Sequence, residues 1–526
     1  MDEPWVRFED EHVLVVVKPA GVNTHRADAH GQDGMYEWVQ RQRPGVALST
    51  LHRLDKATSG LLLFGKTTIA NQSLAIQFEK RTVAKTYELL VPHDEPRPAT
   101  LHSTKRIGGP ASTDFERQHL GPIVDRYHAH PHTGRTHQVR VHAEALGMAI
   151  LGDDEHHGAP AVRLFLHAAG LGIDHPTVGP LTLTSERPAS FDRLLASADP
   201  GTATSSALAA QVALEARTAL FDPADTDAYL WIDRHHDGFP DVRVERLGDV
   251  ALVLNYADSA TADDRAPTSL PNDWLDAWGG ALDIEAIWEQ RRPRGGGGGP
   301  ARCLTGTPQP GFAVTELGLR YLIDLEASAT SSGLFLDQRE TRRRLRSTDL
   351  AGRSVLNTFA HTGSLSVAAA AAGAETLTLD LSQRYLDWAR DNLRANDLDP
   401  AGHDFLYGDA LEWMERLAKK GRTFDLVLVD PPSSSTSGKR GAKRWVAERD
   451  LHSLVHRGAR LTAPGGTLFV STNLHRMRWP RFVEHLDEGL AAAGRVGRVV
   501  TQTNPIDHRA GPGDPTYLKA AWITLD

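Results

Sequence analysis

The sequence predicts a chain of several domains, the last of them a doubly wound α/β unit. Its 526 residues exceed what one core fills, and at about 150 residues per domain they make three or four. Two stretches without a preference for regular structure divide it. Ala198 to Ser206 is small and polar, the composition of a linker, and Gly295 to Gly299 is a flexible glycine tract. Beyond that tract, apolar strands alternate with helices, as in a sheet covered on both faces. Residues 1–198 read as a first domain and 199–224 as linker and helix. Residues 225–328 read as a small α+β domain with an acidic and glycine-rich insert at 255–300, and 329–526 as the α/β domain.

In the first domain, His52-Arg53-Leu54-Asp55 runs through Lys56-Ala57-Thr58-Ser59-Gly60 into the apolar Leu61-Leu62-Leu63-Phe64. A carboxylate thus stands at the mouth of a strand with no room for a solvated acid. A turn aspartate capping the next element remains an equal alternative on this segment alone. Thr133-Gly134-Arg135-Thr136-His137-Gln138-Val139-Arg140-Val141-His142 alternates polar and apolar residues after a glycine, which predicts a strand from Thr136 onward. After the linker, residues 207–221 read as a helix, and Tyr229–Arg234 and Val250–Leu254 as strands around a turn-rich His235–Pro240. In the last domain Ser354–Phe359, Glu375–Asp380, Phe424–Asp430 and Gly466–Ser471 read as strands, with helices over Ser364–Ala372 and Tyr385–Asn396. Ligands of such sheets bind outside the carboxyl ends of the strands. Asn357-Thr358-Phe359-Ala360-His361-Thr362-Gly363, Asp380, Asp409-Ala410 and Asp430-Pro431-Pro432 all fall at such ends. The Gly-x-Gly-x-x-Gly of dinucleotide enzymes is absent, which speaks against an oxidoreductase.

Composition narrows the setting. The single cysteine, Cys303, excludes disulfides within the chain and a cysteine-based zinc site, so a reducing cytoplasm fits. No signal pattern or membrane-length apolar run is present, and no membrane partner is expected. The net charge of -9 argues against a phosphate-rich partner taken as a sum, yet eight acids against Arg265 between Asn255 and Gln290 hold much of it. Basic residues cluster at Arg339, Arg342, Arg343, Arg344 and Arg346, and at Lys439, Arg440, Lys443, Arg444 and Arg449. RNA contact and a solvated helix face stand at even odds for each cluster. His128, His130, His132, His137 and His142 invite a metal reading, but Pro131 interrupts the run and no carboxylate or cysteine completes it, so no metal is expected.

The His-Arg-Leu-Asp and Thr-Gly-Arg-Thr-His segments, with Lys85-Thr86-Tyr87 between them and Arg163-Leu164-Phe165-Leu166-His167-Ala168 after them, resemble the RluA-type pseudouridine synthases. The likeness covers roughly residues 5–195, including the opening Glu9 to Gly21. It implies an α+β domain with a mixed, largely antiparallel sheet that isomerises uridine in RNA without a cofactor. By this resemblance Asp55 is the reacting carboxylate and Arg140 its ion-pair partner. Arg53 fills the space of a flipped uridine, Tyr87 packs on its ring and Leu166 closes the apolar wall. A buried carboxylate without a cation nearby would take up a proton, which is what the partner prevents. The usual S4-type RNA-binding domain is missing at the N-terminus.

The C-terminal half resembles class I S-adenosylmethionine (SAM)-dependent methyltransferases with a Rossmann-like fold, and more narrowly the RlmI/RlmK group that modifies large-subunit ribosomal RNA. The narrower likeness rests on Phe335-Leu336-Asp337-Gln338-Arg339, on Phe359-Ala360-His361-Thr362-Gly363 and on Asp380-Leu381-Ser382-Gln383-Arg384-Tyr385. It covers about 310–526, and the unit at 225–328 resembles that group's central domain. It implies SAM as cofactor, with Gln338 and Thr362-Gly363 at the methionine end and Asp380 on the ribose. Asn357, Phe359, Leu381 and Ser382 line the same site, Asp409-Ala410 meet the adenine and Asp430 stands at the reacting edge. Pyrimidine C5 methylation needs a thiolate. Cys303, in a strand-poor connection, is the only candidate, so a guanine nitrogen is expected instead. N7 is preferred over N2, because N7 presents a lone pair that only has to be positioned. Ser433-Ser434-Ser435 also stand where N-methyltransferases commonly carry a stacking aromatic.

Together the resemblances imply one chain with two RNA-modifying activities, acting on 23S ribosomal RNA or a pre-ribosomal particle. An alternative leaves the methyltransferase as the only catalyst and makes the synthase-like half an RNA-binding assembly platform. A small-molecule methyltransferase is a third reading.

Overall fold

Ten strands of the first 184 residues join in one sheet, in the order Val6–Glu9, Val13–Lys18, Ser59–Gly65, Leu166–His175, Ala84–Pro92, Val124–Pro131, Thr113–Leu120 and Thr100–Ser103, with Gly179–Thr184 and Ser49–Thr50 as side branches. Ser59–Gly65 runs parallel to Leu166–His175 and every other pair is antiparallel, so the sheet is mixed and largely antiparallel as expected. The computed structural model describes residues 3–26, 33–94, 97–257, 284–292, 299–307, 309–326, 331–435, 445–508 and 518–526. Most of the acidic insert, most of the glycine tract and the cluster Lys439, Arg440, Lys443 and Arg444 lie outside the described residues. Among the described residues no helix is long and apolar enough to cross a membrane.

The expected strand from Thr136 is instead a turn followed by the helix Gln138–Ala145. His137 takes a left-handed conformation (φ 53°) and reverses the chain. Gln138 then locks the turn: its carbonyl accepts from Thr133 Oγ1 and Arg135 N, and its amide donates to Ser112 O and Thr113 Oγ1. The alternating pattern of this segment also satisfies a helix, which buries Val139, Arg140, His142 and Ala143 on one side.

The helix Ser206–Thr218 follows the linker and leads into a five-stranded central sheet ordered Ala228–Asp233, Val242–Leu247, Val250–Asn255, Ala286–Arg291 and Arg302–Gly306. Val242–Leu247 was not expected to be a strand. Cys303 was placed in a strand-poor connection, but it sits within Arg302–Gly306, opposite Trp288. Burial raises its thiol pKa, and the thiol donates to Thr305 O at 3.4 Å, both of which favour the unreactive form.

The C-terminal unit is a seven-stranded sheet ordered Asp404–Tyr407, Glu375–Asp380, Ser354–Thr358, Phe424–Val429, Thr462–Thr472, Lys519–Leu525 and Gly497–Gln502. The first five strands are parallel and Lys519–Leu525 is antiparallel to both neighbours. This is the doubly wound order, whose direction of winding switches between Ser354–Thr358 and Phe424–Val429.

The units share cores. Leu220, Phe221, Tyr229 and Ile506 cluster with Trp5, Trp38 and Leu62 of the synthase-like domain. The basic segment at 339–346 is not an open patch. Arg339 and Arg342 are fully buried, Arg339 between Glu316 (2.9 Å) and Asp507 (2.6 Å), and Arg342 on Glu316 (2.5 Å). Arg343 pairs with Glu340 and donates to Gln42, and Arg344 lies over Trp522. Arg449 pairs with Asp450. RNA contact is thus overturned for Arg339 and Arg342, because ion pairs inside the fold consume both guanidinium groups.

Candidate functional sites

The chain brings its two N-terminal motifs together around one cavity of about 460 Å³, lined by Arg53, Asp55, Lys85, Tyr87, His137, Arg140 and Leu166 among others. Several local devices set Asp55 there. Thr24 Oγ1 bonds both the N-H and the carbonyl of Leu54, fixing the residue before it. Thr58 N closes a turn on Asp55 O, and Gly60 (φ 115°) then passes so near Ala168 that a Cβ would lie 2.3 Å from its carbonyl oxygen. His52 is a neutral strut. Burial, with Lys85 nearby, lowers its pKa to about 3, so Nε2 can accept from Leu63 N at 3.0 Å while the ring stacks on Phe78.

Arg140 Nη1 lies 3.6 Å from Asp55 Oδ2, and His137 Nε2 3.8 Å from Oδ1. The guanidinium is itself aimed. Asp153 takes it in a bidentate pair at 2.8 and 2.6 Å, and Glu155 adds a contact at 3.1 Å. Asp153 and Glu155 are contributors that the sequence did not single out, and the turn residue His137, weighed there as a metal ligand, is a third. Burial, and then the charge of Asp55, raise the Tyr87 pKa, so its phenol stays neutral against the carboxylate. Arg53 is exposed at the mouth and Leu166 is buried in the wall. Of the five histidines, His142 is spent on Thr113 and Lys105 O, and His128 and His132 face Glu88 and Asp114. Only His137 joins a group with metal-ligand spacing, with Glu155 and His156.

A second cavity, also about 460 Å³, opens at the switch point of the C-terminal sheet. Gln338, Asn357, Phe359, Asp380, Leu381, Asp409, Ala410 and Asp430 line it as expected. Thr362, Gly363 and Ser382 do not. Thr362 is buried, its hydroxyl bonded to Gly333 O. Gly363 (φ 75°) packs where a Cβ would meet Ala389 at 2.5 Å, and Ser382 caps the helix Gln383–Arg394. Their part is to shape the loop. Phe335, Asp337, His361 and Tyr385 line the cavity without having been assigned to it.

Phe359 and His361 both take left-handed conformations (φ 55° and 51°) ahead of Gly363, an uncommon strain in non-glycine residues that marks functional loops. The Asp380 carboxylate accepts from His361 N and Ser382 N, both at 2.8 Å, which orients it with lone pairs to spare. Asp409 both caps the helix Ala410–Lys419 and faces the cavity, so cap and site are not alternatives here. Burial pushes the Asp430 pKa up to about 6 against hydrogen bonds from Ser471 and Gln338. His361 Nε2 is buried without a hydrogen-bond partner among the described residues. An orphaned imidazole nitrogen, an aromatic wall and a pre-aimed carboxylate suit a nucleoside carrying a polar tail, and the cavity fits the SAM that the resemblance implies.

The sequence signature of the S-adenosylmethionine-dependent methyltransferases matches residues 277–507, and that of the RNA pseudouridylate synthases residues 12–145. The "Putative ribosomal RNA large subunit methyltransferase YwbD" of Bacillus subtilis is 32% identical over 319 residues, 59% of this chain and 78% of that protein. The ribosomal RNA large subunit methyltransferase K/L of Allochromatium vinosum is 41% identical over 201 residues, 38% of this chain. The chain spans only 26% of that relative's length. The solved structure of SMU.776 complexed with SAH shares the fold, with TM-score 0.54 and 23% identity over 68% of this chain and 88% of that one. By these matches the chain belongs to the S-adenosylmethionine-dependent methyltransferases related to YwbD, and it carries an RNA pseudouridylate synthase domain ahead of the methyltransferase domain.

Proposed function

We propose that the chain carries two RNA-modifying activities, isomerisation of uridine to pseudouridine in the N-terminal cavity and methylation of a guanine nitrogen in the C-terminal one. The carrying observation is the Asp55 carboxylate facing Arg140, which Asp153 clamps, beside Tyr87 and Leu166. A domain retained only as a binding platform has no need of an aimed ion pair at its cavity floor. Extruding a uridine from its stack costs a few kcal/mol, and Arg53 at the mouth suits the vacated space. The Asp55 carboxylate then meets the sugar or base while Tyr87 and Leu166 exclude water.

In the second cavity bound SAM supplies an electrophilic methyl group. Gln338, Asp380 and Asp409 hold and orient it, and Asp430 with Pro431, Pro432 and Asn473 forms the edge where a base enters. Cys303 does not line the cavity, which supports a nitrogen acceptor over pyrimidine C5. N7 fits best, since it asks for position and no proton removal. The names of the relatives support large-subunit ribosomal RNA as the substrate, 23S RNA in a ribosome or its precursor. Asp55→Asn should abolish pseudouridine and spare methylation, and Asp380→Ala should do the reverse. RNA from a deletion strain complemented with each variant, read by mass spectrometry, decides it. Methylation alone in wild type, unchanged by Asp55→Asn, would leave the synthase half a platform.

A further inference from the structure

On the outer face of the methyltransferase domain the helices Ala447–Leu461 and Trp479–Ala493 pack unusually close. A Cβ on Gly489 would stand 2.4 Å from Val455 Cβ and 2.7 Å from His452 O. This approach brings three electron-rich atoms together. His452 Nδ1 lies 3.8 Å from Glu488 Oε2 and His485 Nδ1 3.9 Å from the same oxygen, with the two rings parallel within 5° and their centroids 5.7 Å apart. One ligand atom from each of the three residues lies within 4.8 Å of the other two.

The protons settle what the group lacks. His485 is fully buried, and its Nε2 lies 3.0 Å from Glu448 O. A carbonyl only accepts, so Nε2 carries the hydrogen. In that tautomer Nδ1 is the ring nitrogen without a hydrogen. That nitrogen and His452 Nδ1 are both buried without a hydrogen-bond partner among the described residues. Two imidazole nitrogens without hydrogen-bond partners thus converge on one carboxylate oxygen, an arrangement that costs free energy unless something joins them.

We propose that His452, His485 and Glu488 bind a divalent transition metal of the Zn²⁺ class. Two imidazole nitrogens and one carboxylate are a common donor set for it, with a water completing four-coordination. Tetrahedral bonds of about 2.0–2.2 Å put ligand atoms about 3.3 Å apart, so metal entry asks each of the two imidazole–carboxylate distances to close by roughly half an ångström. The outer shell is in place. Glu448 O fixes the His485 tautomer, and Arg481 holds Glu488 Oε1 at 3.3 Å, leaving Oε2 for the metal. Glu488 is exposed, which supplies the path of entry. Ala447 N at the start of the first helix donates to Ser433 O, just past Asp430-Pro431-Pro432. The metal would therefore brace a helix that anchors one rim of the methyl-transfer cavity.

Co²⁺ titration of the chelator-treated full chain, followed by visible absorption with Zn²⁺ displacement, tests this. We expect one ion per chain with the band of a four-coordinate site, and a melting temperature higher with Zn²⁺ than with chelator. His452→Gln and Glu488→Gln, both on the solvent side, should weaken binding at least about tenfold and remove the melting shift. His156→Gln, in the other His-carboxylate group, should keep both. No saturable Co²⁺ binding by wild type, undiminished binding in His452→Gln and Glu488→Gln, or loss in His156→Gln instead overturns the site.

Discussion

At the scale of single residues, Asp430 is held against its own preference. Its pKa in the fold, about 6, lies above the ordinary aspartate value, so the protonated form is the one folding favours. The linked stability is fully present below pH 4 and is lost as pH rises through 6. Asp430→Asn should therefore raise folding stability at pH 8, by roughly 1–3 kcal/mol, and leave it nearly unchanged at pH 4. The same variant should depress methyl transfer, because Ser471 and the cavity edge lose a carboxylate. Urea unfolding at both pH values checks the first half, and loss of stability at pH 8 would contradict it. Much at this scale was legible beforehand: Asp55, Tyr87, Arg140 and Leu166 line one cavity, as their motifs implied. Asp153 and Glu155 were not, because a clamp on Arg140 has no spacing signature of its own.

At the scale of elements, the strand Ser59–Gly65 is where sequence and geometry meet most tightly. Gly60 crosses Ala168 at the one parallel pairing of the N-terminal sheet. Gly60→Ala places a methyl group against backbone in a conformation L-residues rarely adopt, and should cost at least about 2 kcal/mol. Thermal unfolding measures it, and a neutral result would mean that this crossing yields. The helix Gln138–Ala145 shows where sequence periodicity fails. Alternation over seven residues fits a strand, and the decision for a helix comes from Gln138 bonding Ser112 and Thr113 of a distant strand. Four of the five parallel strands of the C-terminal sheet were legible, Phe424–Val429 most plainly because it is apolar, while the short and partly exposed Asp404–Tyr407 was not read as a strand.

For the whole molecule, Asp507 is the hub. It takes Arg339 at 2.6 Å and Leu230 N of the central sheet at 2.8 Å. Burial alone would raise its pKa, but the charges of Arg339 and His508 hold it well below the carboxylate range. The stability it contributes is present above the unfolded aspartate pKa near 4 and is lost only as pH falls through its depressed value. Asp507→Asn strands Arg339 in the core and should cost about 3–5 kcal/mol, seen as an earlier unfolding of the C-terminal units in denaturant. An unchanged midpoint would show that Glu316 suffices for Arg339. Charges paired across 23 to 168 residues of sequence are invisible to local reading, which is why RNA contact stood at even odds for Arg339 and Arg342.

The shared core at Leu220, Phe221, Tyr229 and Ile506 makes the molecule a ruler. A loose tether would let each cavity search RNA independently, whereas docked units hold the two openings at one separation. On the proposed function, a uridine and a guanine modified within a single binding event would have to be spaced as the fold spaces its cavities. An RNA whose two target nucleotides are shifted apart would receive its marks only in separate encounters.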